Sequence, residues 1–271
     1  ARRAPLLTRF VKSPEEIARL QAILAAPSFF DIRTLALSIE TDPAVVRELL
    51  PPPLEPGDSS RVTLSVSDIR ESNCVGPFRG ASVNIACRYG GEEGVYCLAM
   101  PMSTGPAVTF GRELFAEPKK LADIDLAVQF PHARGAVRRH GVTFMELHGA
   151  FDDEPAAVER TTSVPHFYFK FQPAANGDGL EHDVRLVRVT HRGRTHRFAR
   201  GTGTVTLRES RHDPLIDIPV LNVLAATYSE GETHTSAKVV AEVPASGFLP
   251  WAFTSPDDMA VWEMAGLPAL A

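Results

Sequence analysis

Short β-branched or apolar runs, each closed off by turn residues, succeed one another through most of this chain and leave little room for any architecture but a β-rich one. Arg61 to Ser67, Ala81 to Cys87, Gly94 to Met100, Ala107 to Phe110, Val142 to Phe151, His166 to Phe171, Val184 to Thr190, Thr195 to Phe198 and Gly203 to Arg208 read as strands. Such enrichment suits a pleated, half-buried ribbon. Gly90-Gly91, Asn176-Gly177-Asp178-Gly179 and Arg192-Gly193 are the turns expected between neighbouring strands. Helices are few and well punctuated. Ser13-Pro14-Glu15-Glu16 is a capping box with proline in the first turn, followed on one face by Ile17, Leu20 and Leu24. Asp42-Pro43 opens a second helix that runs through Leu50 and is stopped by Pro51 to Pro53, and Ser255-Pro256-Asp257-Asp258 predicts a last one carrying Met259 and Trp262. The expected fold is mainly β (α+β): many antiparallel strands, curved or closed, with a few flanking helices, in a single domain over residues 1–271.

Composition narrows the partners. A formal charge of -5 and a pI near 6.0 argue against nucleic acid as the default ligand. The arginines between Arg185 and Arg211 are the one basic run, but they alternate with Leu186, Val189, Phe198, Val205 and Leu207 as a solvated strand face would. No repeated aromatics supply a stacking platform, so oligomer contacts are the better use for that run. Cys74, Cys87 and Cys97 form no paired motif and leave an odd thiol, which points to a reducing compartment and to small buried hydrophobes. No run approaches the roughly 18 apolar residues that cross a bilayer. Ala1 to Leu7 has no signal-like apolar stretch. The expectation is a cytoplasmic protein with no membrane partner.

Lysine is scarce: Lys12, Lys119, Lys120, Lys170 and Lys238 are the whole supply against a large excess of arginine. Arginine stays charged and forms no Schiff base, whereas a buried lysine shifts its protonation readily. Two adjacent ammonium groups in one dry pocket cannot comfortably both stay charged, so Lys119-Lys120 is the strongest chemical signal in the chain.

Around that pair, Gly111-Arg112-Glu113-Leu114 and Pro118-Lys119-Lys120-Leu121 resemble the signature of the acetoacetate decarboxylase family. Leu49 to Glu55, Gly94-Val95-Tyr96, Pro165 to Lys170, His212 to Leu215 and Ile218-Pro219-Val220 resemble family segments in the same order, so the likeness spans most of residues 30 to 245. The resemblance implies a cone-like β-barrel, a small keto-acid substrate, no cofactor, a homo-oligomer and a nucleophile at Lys119, with Lys120 as the cation that eases its deprotonation. Acetoacetate decarboxylase is itself the familiar case of a lysine activated by desolvation or a neighbouring cation. The iminium formed with a ketone accepts the electron pair of a bond breaking beta to it, whether the step is carbon dioxide loss, retro-aldol cleavage, dehydration or aldol addition.

The sequence also departs from the family pattern. Counting back from Lys119, the positions of two family glutamates fall on Gly80 and near Thr63 to Ser65, and an early family arginine matches only Arg33, one position out of register. Decarboxylation is the family reading; aldolase-dehydratase chemistry on pyruvate-like 2-keto acids and a non-catalytic ligand-binding barrel are the alternatives. Arg79 and Arg33 are candidates to clamp a substrate carboxylate. Glu146 on an apolar strand pattern is a candidate acid or base. Glu113, in the matched motif with Arg112, is expected beside the substrate, holding the lysine loop. His182, Asp183, His191 and His196 match no closed zinc spacing, so no metal is expected. Gly201-Thr202-Gly203 lacks a dinucleotide-loop context and reads as a strand connection. A carboxylate from any part of the chain within reach of the Lys119 amine would favour decarboxylation.

Overall fold

The computed structural model describes residues 8–252, so the helix expected from Ser255 lies outside the described residues, as does the Ala1 to Leu7 segment. The chain runs α1 (Pro14–Ala25), β1 (Ser28–Glu40), α2 (Pro43–Leu49), β2 (Glu55–Pro56), β3 (Arg61–Ser72), β4 (Phe78–Tyr89), β5 (Glu92–Met102) and α3 (Gly105–Phe115). It continues through β6 (Lys119–Leu121), β7 (Asp123–Gln129), β8 (His132–Arg139), β9 (Val142–Ala150), β10 (Ala156–Lys170), β11 (Val184–Leu207), a 3-10 turn (Leu215–Asp217), β12 (Asn222–Val243) and α4 (Ala245–Ala252). Among the described residues, no helix is long and apolar enough to cross a membrane.

The sheet order is β10-β5-β4-β3-β1-β12-β11, and because β10 also pairs with β11 these strands form a closed circuit. The fold is thus the mainly β, barrel-like one expected, with one difference: the circuit is not wholly antiparallel. Its join is parallel, two register pairs between β10 and β5, His166 with Val95 and Phe167 with Tyr96. The distal part of β11 leaves the circuit to pair with β9, followed by β8 and β7.

Period-2 alternation divides the side chains between two cores. Leu35, Leu37 and Ile39 of β1, with Val62, Leu64 and Val66 of β3, face a larger core that the β7–β9 layer, α2 and α4 cover. The opposite face carries a smaller cluster of Ile69, Phe78, Cys97, Met100, Met102, Tyr168, Val187 and Val189, against which α3 packs Ala107 and Phe115. Each fully buried large aliphatic or aromatic side chain contributes roughly 1.5–3 kcal/mol relative to exposure.

The capping box forms as expected: Ser13 Oγ accepts from the Glu16 N–H at 3.2 Å and Glu16 Oε2 accepts from the Ser13 N–H at 2.8 Å. Asp42 caps α2 through the Ala44 N–H at 2.7 Å. Three local expectations fail, one of them at Gly201-Thr202-Gly203, which lies inside β11. Ala107 to Phe110 is helical, because Pro106 sits in the first turn and Ala107, Gly111 and Phe115 recur every four residues to bury one face. Arg192-Gly193 is no turn; β11 passes straight through it, since Gly193 is matched by Thr162 on β10 and by Thr233 on β12.

Candidate active site

Lys119 owes its position to the end of α3. Ala116 adopts the left-handed conformation (φ 62°), its N–H returning to the Arg112 carbonyl at 3.2 Å and that of Glu117 to the Gly111 carbonyl at 3.2 Å. These bonds satisfy the carbonyls a helix end leaves open. Lys170 adds an ammonium over the Glu113 and Leu114 carbonyls at 2.7 and 3.3 Å, the favoured charge at a helix C-terminus. The chain then turns around Pro118, with the Lys119 N–H donating to the Glu117 carbonyl at 2.7 Å in a three-residue turn that proline's fixed φ favours. Two residues apart across this turn, Glu117 and Lys119 meet: Lys119 Nζ lies 2.7 Å from Glu117 Oε2, with the side chains only 7% and 6% exposed. The contact is off-axis for a hydrogen bond, and among the described residues Oε2 has no hydrogen-bond partner.

Gly111 makes the meeting possible. A Cβ there would fall 2.1 Å from Glu117 Oε2 and 2.6 Å from Lys119 Nζ. The glycine of the Gly-Arg-Glu motif is therefore a space requirement, placing the α3 backbone against the ion pair.

The groups around the pair are weakly polar. Lys119 lies opposite Met100 in the parallel β5–β6 pairing, on the face of the smaller core. Burial, and secondarily the Glu117 charge, pushes the Cys97 thiol up. Burial likewise raises the Cys74 thiol and the Tyr168 phenol. It drives the His166 imidazole well below its ordinary value, with His191 adding to the effect. His191 is lowered too, by burial first, while Glu117 and Lys119 act on it in opposite directions. The two imidazoles meet edge to face at 4.6 Å, and Tyr168 Oη lies 3.5 Å from His166 Nδ1. All these groups are uncharged at neutral pH.

The other sequence-derived candidates lie elsewhere. Strand alternation sends Lys120 to the opposite face from Lys119; its Nζ donates to the His212 carbonyl at 3.2 Å and stands 3.8 Å from Asp213, which is held by Arg139. Lys120 thus has its own carboxylate and does not share the surroundings of Lys119. Both carboxylate oxygens of Glu146 are taken, one by Arg134 and one by Arg208, and the Arg134 and Arg208 bonds hold it below the usual carboxylate range. A carboxylate so held is a poor proton donor. Arg79 pairs with Asp68 at 3.6 Å and Asp125 at 3.1 Å. Arg33 stands in register with Asp68 and Glu230, on the Leu35 side of β1 and away from Ile32, which belongs to the Lys119 face. Glu113 points to solvent from α3. Of the candidates, only Lys119 occupies this enclosed site. The open cleft of about 390 Å3 on the β7, β8, β9 and β11 surface, lined by His132, Arg134 and His148, does not include it.

The sequence model of acetoacetate decarboxylase matches residues 13–243. The chain belongs to the acetoacetate decarboxylase family. An acetoacetate decarboxylase of Burkholderia ambifaria (strain MC40-6) is 30% identical over 207 residues, covering 74% of this chain and 82% of that protein. The acetoacetate decarboxylase structure from Legionella pneumophila subsp. pneumophila str. Philadelphia 1 superimposes with a TM-score of 0.73 at 19% identity, over 80% of this chain and 88% of that one. The enduracididine biosynthesis enzyme MppR, solved with the condensation product of pyruvate and imidazole 4-carboxaldehyde, gives a TM-score of 0.66 at 19% identity over 79% and 88%. At such identities these structures establish the acetoacetate decarboxylase fold alone. Sequence reasoning missed Glu117, His166 and Tyr168 as neighbours of Lys119, and weighed His191 only as a metal ligand. For His166 and Tyr168 a signal was present, since they alternate with Phe167 and Phe169.

Proposed function

We propose that this member of the acetoacetate decarboxylase family is a carbon–carbon lyase that joins a small keto acid to Lys119 as a Schiff base, decarboxylation being the leading reaction. The observation that carries the reading is an enclosed amine whose ionic partner among the described residues is a carboxylate 2.7 Å away. Attack of the uncharged amine on the ketone carbon gives a carbinolamine, and loss of water gives the iminium. In a 3-keto acid the bond to the carboxylate then breaks, its electron pair passes into an enamine, and carbon dioxide leaves. A site with few charges favours this step, because charge is dispersed as the carboxylate departs.

A second reading, aldol addition or dehydration on a pyruvate-like 2-keto acid, draws on two observations. Gly80 and the stretch Thr63 to Ser65, where the family glutamates would fall, carry no carboxylate, and MppR binds a pyruvate condensation product. Borohydride reduction in the presence of acetoacetate or pyruvate, followed by mass spectrometry, should place the adduct on the Lys119 peptide and not on Lys120. Release of carbon dioxide from acetoacetate then marks the decarboxylase, and consumption of pyruvate with an aldehyde marks the aldolase. A chain that traps neither compound is a binding barrel without turnover.

A further inference from the structure

We propose that Glu117 is the acid–base residue of the Lys119 reaction, a role resting on the Schiff-base reading above. Three observations converge on it. Its carboxylate touches the reacting nitrogen at 2.7 Å, and Oε2 is buried with no hydrogen bond from the described residues to occupy it. The helix presents Gly111 at a point where any side chain would collide with both groups. Lys120, the obvious alternative modulator, faces the other side of the strand toward His212 and Asp213.

The pair can rearrange without importing or exporting charge. A proton passes from the Lys119 ammonium to the Glu117 carboxylate, leaving a neutral amine beside a neutral carboxylic acid. Separated charges are costly in a water-poor site, so this tautomer is accessible there in a way it is not in bulk water. The amine adds to the keto carbon and the nitrogen proton moves to the carbonyl oxygen, giving the carbinolamine. Glu117 then returns its proton to the departing hydroxyl, which leaves as water. The result is an iminium cation on Lys119 paired with a Glu117 carboxylate, the same net charge as at the start. Glu117 therefore stands in for the carboxylates missing at Gly80 and near Thr63 to Ser65, from a position two residues before the nucleophile.

The test is the rate of borohydride-trappable imine formation with acetoacetate and with pyruvate, followed across pH in the full chain, Glu117→Gln and Glu117→Ala. Loss of a positioned acid–base group typically slows a step on the order of 10²-fold or more, and that is the loss expected for both variants, with a steeper rise of rate with pH as solvent base takes over. Added acetate should restore part of the rate in Glu117→Ala and none in Glu117→Gln, a rescue that a purely structural role would not give. If Glu117→Gln does not fold, Glu117→Asp carries the test, with a rate between wild type and Glu117→Ala. Variants that trap keto acid as fast as wild type, with an unchanged pH profile, overturn the assignment of Glu117 alone. A wild-type chain that traps neither compound at Lys119 overturns the Schiff-base reading and this role with it.

Discussion

Gly111 and the Lys119–Glu117 pair form one device, and a single methyl group tests it. Replacing glycine by alanine inside a helix ordinarily gains roughly 0.5–1 kcal/mol. Here the new Cβ would sit 2.1 Å from Glu117 Oε2 and 2.5 Å from Lys119 Cδ, so two buried side chains must move. Overpacking of this kind costs about 1–3 kcal/mol and outweighs the propensity gain. Gly111→Ala should lower the melting temperature by a few degrees and cut borohydride trapping at Lys119 at least about tenfold. The imidazoles allow a second test. In the folded chain His166 and His191 are both lowered from an ordinary value of 6.5, so on acidification the unfolded chain binds protons that the folded one refuses. Their stabilising contribution is present above that value and is lost as pH falls below it, by up to about 1.4 kcal/mol per pH unit and ring. Urea midpoints of a His166→Gln/His191→Gln double variant should fall less steeply on acidification than those of wild type.

At the scale of elements, β11 shows how one strand serves two partners. Its arginines, which read from the sequence as a basic stripe, are largely neutralised by neighbours: Arg185 by Glu242, Arg188 by Glu92, Arg194 by Glu159, Arg197 by Glu154 and Glu230; Arg208, just past the strand, pairs with Glu146. Where β11 turns from β12 to β9 it carries Gly201 and Gly203, whose Cβ atoms would lie 2.0 Å from the Ala150 carbonyl oxygen and 2.3 Å from that of His148. Backbone cannot step aside as a side-chain end can. Gly203→Ala should therefore destabilise by roughly 3 kcal/mol, at the upper end of overpacking costs, measured by urea unfolding, with the spectrum of the folded state retained. Gly201-Thr202-Gly203 is thus a strand interior that lets two backbones approach, and not a connection between strands.

Across the whole molecule, what the sequence disclosed follows physical range. Capping at Ser13 and Asp42, and the turns at Gly90-Gly91 and Asn176 to Gly179, are set by a few adjacent residues and were legible. β12 was not, because its Ser, Thr, Gly and Glu residues show little apolar alternation and it is held by ladders to β1 on one side and β11 on the other. β1 was hidden by Asp31 and Arg33 ahead of Leu35, Leu37 and Ile39. The run Ala107 to Phe110 was too short to tell a period of 2 from one of 3.6. Lys119 announced itself through its neighbours in sequence, whereas Glu117 became visible only once the turn at Pro118 had folded. Ring closure had no local signal, since it depends on β5 meeting β10 seventy residues later. That meeting predicts a weak point: a Cβ on Gly94 would lie 2.7 Å from both Phe167 Cε2 and the Pro165 carbonyl oxygen. Gly94→Ala should lower the melting temperature and speed hydrogen exchange at Val95 and Tyr96 ahead of the rest of β5.

A hoop is as tight as its clasp, and this one fastens on the same ribbon that lies alongside the Lys119 amine, since Tyr96 of β5 meets Phe167 while Met100, four residues on, flanks Lys119. Unfastening the clasp would slacken the wall behind Lys119, so the breathing of the ring and the dryness around its amine are governed by one strand.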